Sequence, residues 1–176
     1  MRALPLRIRG AWVIEGDRAD DARGSFATFW ESAQAYGEGI RFSPHSGHHA
    51  RTDRAGTLRG LHYQREPSGQ AKLVSCVTGT VHDVLVDLRR DSPTYLQWEA
   101  VTLDESASRA LFVPRGCAHG YLTLADDSTV TYLIEGAYVP DAAAVVRWND
   151  PAIGIDWPIA EPILSERDRA APDYLP

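Results

Sequence analysis

Short runs of β-branched, aromatic and leucine residues recur along this chain, and each is soon closed by a turn signal. Lys72 to Val77, Thr80 to Leu88, Leu111 to Val113, Gly120 to Leu124 and Val130 to Ile134 read as strands by composition and alternation. Gly56, Gly79, Asp91-Ser92-Pro93, Asp126-Asp127-Ser128 and Pro140-Asp141 supply the breaks between runs. That spacing is the signature of an all-β sandwich or barrel. Helix signals are confined to Glu31 to Gly37 and to a stretch near the C-terminus, where Ser165 stands ready to cap Glu166 to Arg169. With 176 residues and no repeat or low-complexity linker, the expectation is one domain over 1–176, a β-sandwich with its C-terminal tail packed over it.

Charge and composition narrow the function. A net charge of -6 argues against nucleic acid or an anionic membrane as partner, so any phosphate-bearing ligand needs a local basic pocket. No apolar stretch approaches membrane-spanning length, and the N-terminus lacks the apolar run and cleavage site of a signal peptide. Cys76 and Cys117 stand far apart in no metal or redox spacing, which suits buried thiols in a reducing compartment, and a cytoplasmic location is expected.

Strand alternation makes the inward positions legible, and an antiparallel sandwich holds a small ligand where those positions turn polar. The densest polar cluster is Gly56-Thr57-Leu58-Arg59-Gly60-Leu61-His62-Tyr63-Gln64. A buried arginine is costly unless it meets an anion, and a buried neutral histidine needs an orienting partner, so the segment suggests a phosphate site beside a general base. Arg59 and His62 fall on opposite faces of a regular strand; aiming both at one ligand requires a bulge or twist, which Gly60 can supply. Taken alone, His62 fits a structural imidazole as well as a catalytic one. Val130, Tyr132 and Ile134 share one face, and taken alone Tyr132 reads as a core tyrosine with a bonded hydroxyl.

Pro114-Arg115-Gly116-Cys117-Ala118-His119-Gly120 sets a histidine just after a Pro-x-Gly turn, a pattern characteristic of cupin barrels. Metal cupins complete their ligand set with a His-x-His pair and a glutamate from an earlier strand. Here that strand offers only His62, followed by Tyr63 and Gln64, so no metal is expected. His48-His49 does not repair the set, because adjacent strand residues point to opposite faces.

Nearly the whole chain resembles the dTDP-4-dehydrorhamnose 3,5-epimerases and their relatives in deoxysugar pathways. The resemblance is carried by Asp21-Ala22-Arg23-Gly24, Leu58 to Gln64, Lys72-Leu73-Val74, Val84 to Arg89, Ser92-Pro93-Thr94-Tyr95, Val113 to Tyr121, Trp148-Asn149-Asp150-Pro151, Gly154-Ile155-Asp156-Trp157-Pro158 and Ser165-Glu166-Arg167-Asp168. It implies a jelly-roll (cupin) double-stranded β-sandwich or barrel, and inversion of C3 and C5 of a nucleotide-linked 4-keto-6-deoxyhexose without any cofactor. His62 matches the family's base, Asp168 the carboxylate that supports it, Tyr132 the acid on the opposite face and Lys72 the cation near the C4 oxygen. Arg23 and Arg59 match residues that hold the diphosphate, His119 stands beside the sugar, and Tyr138 stacks on the nucleobase. Arg167, Gln64 and His49 carry over as further substrate contacts. In the family an N-terminal strand crosses to a second subunit, which implies a homodimer in which Arg23 serves its neighbour's site.

The chain departs from the family at positions that bear on substrate. Thr28 stands where the family has a glutamate, Gly47-His48-His49 replaces a Gln-Asp-Asn-type stretch, and Ala143 replaces a further glutamate. The sequence therefore leaves open dTDP against a CDP or GDP carrier, and one inverted centre against two. A non-catalytic sugar-nucleotide-binding jelly roll is the rival of another class.

Overall fold

In the computed structural model, which describes residues 1–175, every apolar run named above forms a strand, with Leu88 and Leu124 just past the ends of theirs. In chain order the strands are β1 (Arg2–Pro5), β2 (Trp12–Glu15), β3 (Asp17–Asp21), β4 (Gly24–Thr28), β5 (Ser46–Thr52), β6 (Leu58–Gln64), β7 (Ala71–Thr78), β8 (Thr80–Asp87), β9 (Trp98–Asp104), β10 (Arg109–Val113), β11 (Cys117–Thr123), β12 (Ser128–Glu135) and β13 (Ala143–Val145). Both expected helices are present, α1 (Ser32–Gly37) and α2 (Glu166–Arg169). The Ser165 hydroxyl accepts from the Asp168 N–H, and the Glu31 carboxylate accepts from the N–H groups of Ala33 and Gln34, so each helix begins on a side-chain cap. Neither is long and apolar enough to cross a membrane.

Antiparallel pairing builds a six-stranded sheet, ordered β1-β2-β10-β7-β12-β5, and a five-stranded sheet, ordered β13-β6-β11-β8-β9. Between them lie Val74, Leu111, Val113 and Val130 from the first sheet and Val81, Leu85, Leu103 and Tyr121 from the second. Of the sandwich and barrel forms that the sequence allowed, the described residues adopt two open sheets face to face.

The outer faces are covered as well. Leu73, Ala110 and Phe112 pack under the segment from Ala35 to Phe42, while Leu58, Leu61, Val84, Val86 and Leu122 pack under a C-terminal stretch carrying Val146, Ile153 and Trp157. Strands β7 and β8 are consequently covered on both faces, so Leu73-Val74 in one and Val84-Leu85-Val86 in the other run on as apolar residues rather than alternating.

The strand that carries the polar cluster is bulged. His62 pairs with His119 and Arg59 with Tyr121, so two residues of β6, Gly60 and Leu61, oppose Gly120 alone. Gly60 has φ +147°, and a Cβ there would stand 2.6 Å from the Gly120 Cα, so only glycine fits the crossing. The extra residue brings Arg59 and His62 to the same face, as the Gly60 reading required.

Candidate active site

The inward residues of the two sheets turn polar at one end of the sandwich and line a cavity of about 630 Å³. From the five-stranded sheet come Arg59, His62, His119 and Tyr121; from the six-stranded sheet come His48, Lys72 and Tyr132. Rows across the sheets fix their neighbours. Arg59 lies opposite Tyr121 and Tyr121 opposite Asp83; His62 lies opposite His119; His48 lies opposite Tyr132 and Tyr132 opposite Val74.

Two histidines are each held by a carboxylate. The His62 Nε2 stands 2.7 Å from Asp168 Oδ1, and the other oxygen of Asp168 accepts the Gly60 N–H at 3.4 Å. Burial raises the Asp168 pKa, but the His62 bond and charge, with help from Ser165 and Gly60, outweigh it and hold the carboxyl below its ordinary value. An ionised carboxylate keeps the His62 proton on Nε2 and leaves Nδ1 as the basic nitrogen of the neutral ring. His62 keeps 41% of its side-chain surface open, so it is oriented without being sealed off. His119 Nε2 likewise stands 2.7 Å from Asp83 Oδ1, with both groups buried.

Opposite the His62–Asp168 pair stands Tyr132, whose ring lies edge-on to His119 at 6.2 Å between centroids. Burial, then the charge and hydroxyl of Tyr121, push its phenol well above the ordinary value, so it is protonated at neutral pH. Lys72 reaches across from the six-stranded sheet, and its Nζ donates to the His62 carbonyl at 3.3 Å. Desolvation lowers its pKa to about 8, with the Asp83 charge opposing the drop. Arg59 is braced from behind: Nε donates to Thr52 Oγ1 at 3.0 Å and Nη2 to the Arg51 carbonyl at 3.1 Å, leaving further N–H groups for an anion. Arg167 and Tyr138 stand at the same cavity, both exposed, with Tyr138 66% open.

Three expected substrate contacts sit elsewhere. His49 faces away from the cavity, because β5 turns Ser46, His48 and Ala50 inward and its odd-numbered members outward; the inward imidazole is His48, whose Nε2 meets Ser46 Oγ at 3.0 Å. Gln64 is buried and its amide is spent on backbone: Nε2 donates to the carbonyls of Ser68 and Ala137, and Oε1 accepts the Val139 N–H at 2.7 Å. It holds the segment that presents Tyr138. Arg23 lies in the β3–β4 turn, outside the cavity of its own chain, with its guanidinium on Asp21 at 2.6 Å. That hairpin is exposed along its length and pairs with neither sheet.

Gln64→Ala should therefore destabilise the fold. Three partly buried backbone groups lose their side-chain partner, an expected cost of about 2 kcal/mol, read as a lowered midpoint in thermal unfolding.

Asp83, His48 and Tyr121 belong to the site and were not singled out from the sequence as its members. A signal existed for Asp83 and Tyr121: Val81-x-Asp83-x-Leu85 and His119-x-Tyr121 each carry a polar group on an otherwise inward apolar face. Among the described residues no three His, Cys, Asp or Glu side chains gather as a metal-ligand set.

Comparison with known proteins adds the lineage. A family model described as dTDP-4-dehydrorhamnose 3,5-epimerase matches residues 5–175. A dTDP-4-dehydrorhamnose 3,5-epimerase of Mycobacterium tuberculosis is 40% identical, over 99% of this chain and 88% of its own. A dTDP-4-dehydrorhamnose 3-epimerase of Streptomyces niveus is also 40% identical, over 97% of this chain and 83% of its own. A crystal structure of dTDP-4-dehydrorhamnose 3,5-epimerase from Bacillus anthracis with TDP and PPi bound superposes with a TM-score of 0.95 at 36% identity, over 98% of this chain and 99% of that one.

Proposed function

This chain belongs to the dTDP-4-dehydrorhamnose 3,5-epimerase family, and from that premise we propose that it inverts C3 and C5 of a dTDP-linked 4-keto-6-deoxyhexose through an enolate. It is an isomerase of the carbohydrate epimerase class.

The observation that carries the reading is that His62 and Tyr132 address one cavity from opposite sheets. A sugar ring lying between them meets a base on one face and a protonated phenol on the other. The C4 ketone acidifies the neighbouring C–H bonds, so the chemistry is proton removal and proton return and calls for no cofactor. His62 takes the proton, the bonding pair moves into the C3–C4 or C4–C5 bond, and negative charge collects on the C4 oxygen. Lys72 offsets that charge from a fixed position in a partly dry site. Tyr132 then delivers its proton to the other face, and the carbon emerges inverted. Asp168 supports the imidazolium formed on the way.

Arg59 and Arg167 supply the local basic patch that a diphosphate needs on an acidic chain, while the exposed Tyr138 ring offers a stacking surface for the nucleobase. A homodimer belongs to the same proposal, supported by the unpaired β3–β4 hairpin that carries Arg23 away from its own cavity and leaves Phe26 76% exposed. A cytoplasmic location fits the two buried free thiols, Cys76 and Cys117.

Similarity to the Streptomyces niveus 3-epimerase favours one alternative, inversion at a single carbon with the same base and acid. Incubation with dTDP-4-keto-6-deoxyglucose followed by NMR of the sugar decides between them. Two inverted centres support the double epimerase and one supports the single-site enzyme; an unchanged sugar refutes both.

Lys72 gives a separate check. Lys72→Ala should lower kcat by about 10²-fold or more with little change in KM, since the charge it offsets exists only along the reaction path. The active form of the residue is the ammonium ion. Activity should therefore fall as pH rises through about 8, and that basic limb should vanish in the alanine variant.

A further inference from the structure

The carboxylate behind His62 is carried on a single helical turn. Helix α2 has four residues, closed by the Arg169 N–H on the Ser165 carbonyl at 2.9 Å and the Ala170 N–H on the Glu166 carbonyl at 3.0 Å. A helix so short does not hold itself in water, so what aims Asp168 has to come from outside the turn. Ser165 reaches the residue in question: its Oγ accepts the N–H of Asp168 at 3.1 Å, the one side-chain bond to the backbone of α2 among the described residues. Ser165 and Asp168 have the spacing of a capping box, in which the third helical residue turns its side chain back onto the N–H of the cap. That return bond is not made here. Asp168 Oδ1 meets His62 Nε2 at 2.7 Å and Oδ2 accepts the Gly60 N–H at 3.4 Å, so both oxygens are turned to β6 and the Ser165 hydroxyl closes this end of the turn alone.

The chain on either side is tied down independently. Ahead of the cap, Ile163 exchanges backbone bonds with Gly56 and Leu58 at 2.8 and 2.9 Å. Beyond the helix, the Pro172 carbonyl accepts the Arg147 N–H at 3.1 Å, Asp173 meets the Arg147 guanidinium at 2.8 Å, and the Tyr174 N–H donates to buried Asp150. Losing the Ser165 hydroxyl therefore frees the turn between two fixed points and leaves the tail in place. Resting on the proposed function above, we propose that Ser165 is a positioning residue for the epimerisation, holding Asp168 aimed at His62 and acting on the base only through that carboxylate. Ser165 also lines the cavity, so the rival role is direct contact with the ligand.

The test compares Ser165→Ala, Ser165→Thr, Asp168→Ala and the Ser165→Ala/Asp168→Ala double variant by initial rates on dTDP-4-keto-6-deoxyglucose, beside their thermal unfolding midpoints. Ser165→Ala should lower kcat about fivefold to tenfold with KM held within about twofold, while its midpoint falls by no more than about 4 °C. Ser165→Thr keeps a capping hydroxyl and should recover most of the rate. In the Asp168→Ala background the Ser165 substitution should make no further difference, because the two residues act as one unit. Wild-type kcat in Ser165→Ala would overturn the proposal. So would a raised KM at unchanged kcat, which marks ligand contact, a threonine variant as slow as alanine, or a full additional loss on top of Asp168→Ala. An Asp168→Ala enzyme as fast as wild type refutes the support of His62 by Asp168 in the proposed function itself; a slow Asp168→Ala beside an unaffected Ser165→Ala removes only the positioning role.

Discussion

His62→Ala is expected to stop exchange of the sugar C3 and C5 hydrogens with solvent, lowering the rate by about 10²–10⁴. The size of the effect follows from what remains. Lys72 and Tyr132 can still polarise the ketone and offer a proton, yet no other lining group combines a free basic nitrogen with a buried carboxylate behind it and an open side toward the ligand. His119 is the nearest substitute, but it is 3% exposed with its Nε2 on Asp83. The ring of His62 contributes little packing at its exposure, so the variant should fold, and Asp168 retains Ser165 and the Gly60 N–H as partners. Deuterium uptake on dTDP-4-keto-6-deoxyglucose, measured by mass spectrometry beside circular dichroism of the variant, separates lost chemistry from lost structure. Full exchange by a folded His62→Ala protein would remove His62 from the mechanism.

Tyr132→Phe should divide the reaction in two. His62 can still remove a proton and return one to the same face, so deuterium continues to enter the sugar at one carbon with retained configuration. Net inversion requires the acid on the opposite sheet, and it should fall by about 10²-fold or more. The substitution keeps the ring and its apolar contacts while deleting only the hydroxyl, so the cavity holds its shape. NMR resolves the two quantities in one sample: uptake without inversion is the expected pattern, whereas inversion at the wild-type rate would show that another group supplies the proton.

Some of this architecture is written locally in the chain, and that part was legible. Ser165 announced α2 because capping needs only its own hydroxyl and an N–H three residues on. Gly60 announced the bulge because Arg59 and His62 could not otherwise share a face. The family resemblance, read from motifs in a fixed order, agrees with the family model and with relatives matched along almost the whole chain.

The residues whose surroundings the sequence left open share a cause, which is that those surroundings are set by distant chain. In β5, Ser46-Gly47-His48-His49-Ala50-Arg51 has no apolar alternation to fix which phase faces inward, so pairing with β12 decides between His48 and His49. Gln64 has the chemistry of a ligand contact, but two of its partners, Ala137 and Val139, lie more than seventy positions away and claim its amide. Asp83 sits on the inward phase of Val81-x-Asp83-x-Leu85, but the histidine that it holds lies 36 positions further along the chain. Arg23 stands on a hairpin whose packing partner is not encoded in its own ten or so residues.

The central claim, that a base and an acid work the two faces of a 4-keto sugar, is tested most directly by incubating the unmodified protein with dTDP-4-keto-6-deoxyglucose in deuterated water. Deuterium at C3 and C5, with inversion wherever it enters, is the predicted result. An inverted sugar without deuterium at the inverted carbon would contradict the account, because it would mean that the configuration changes without exchange of a proton.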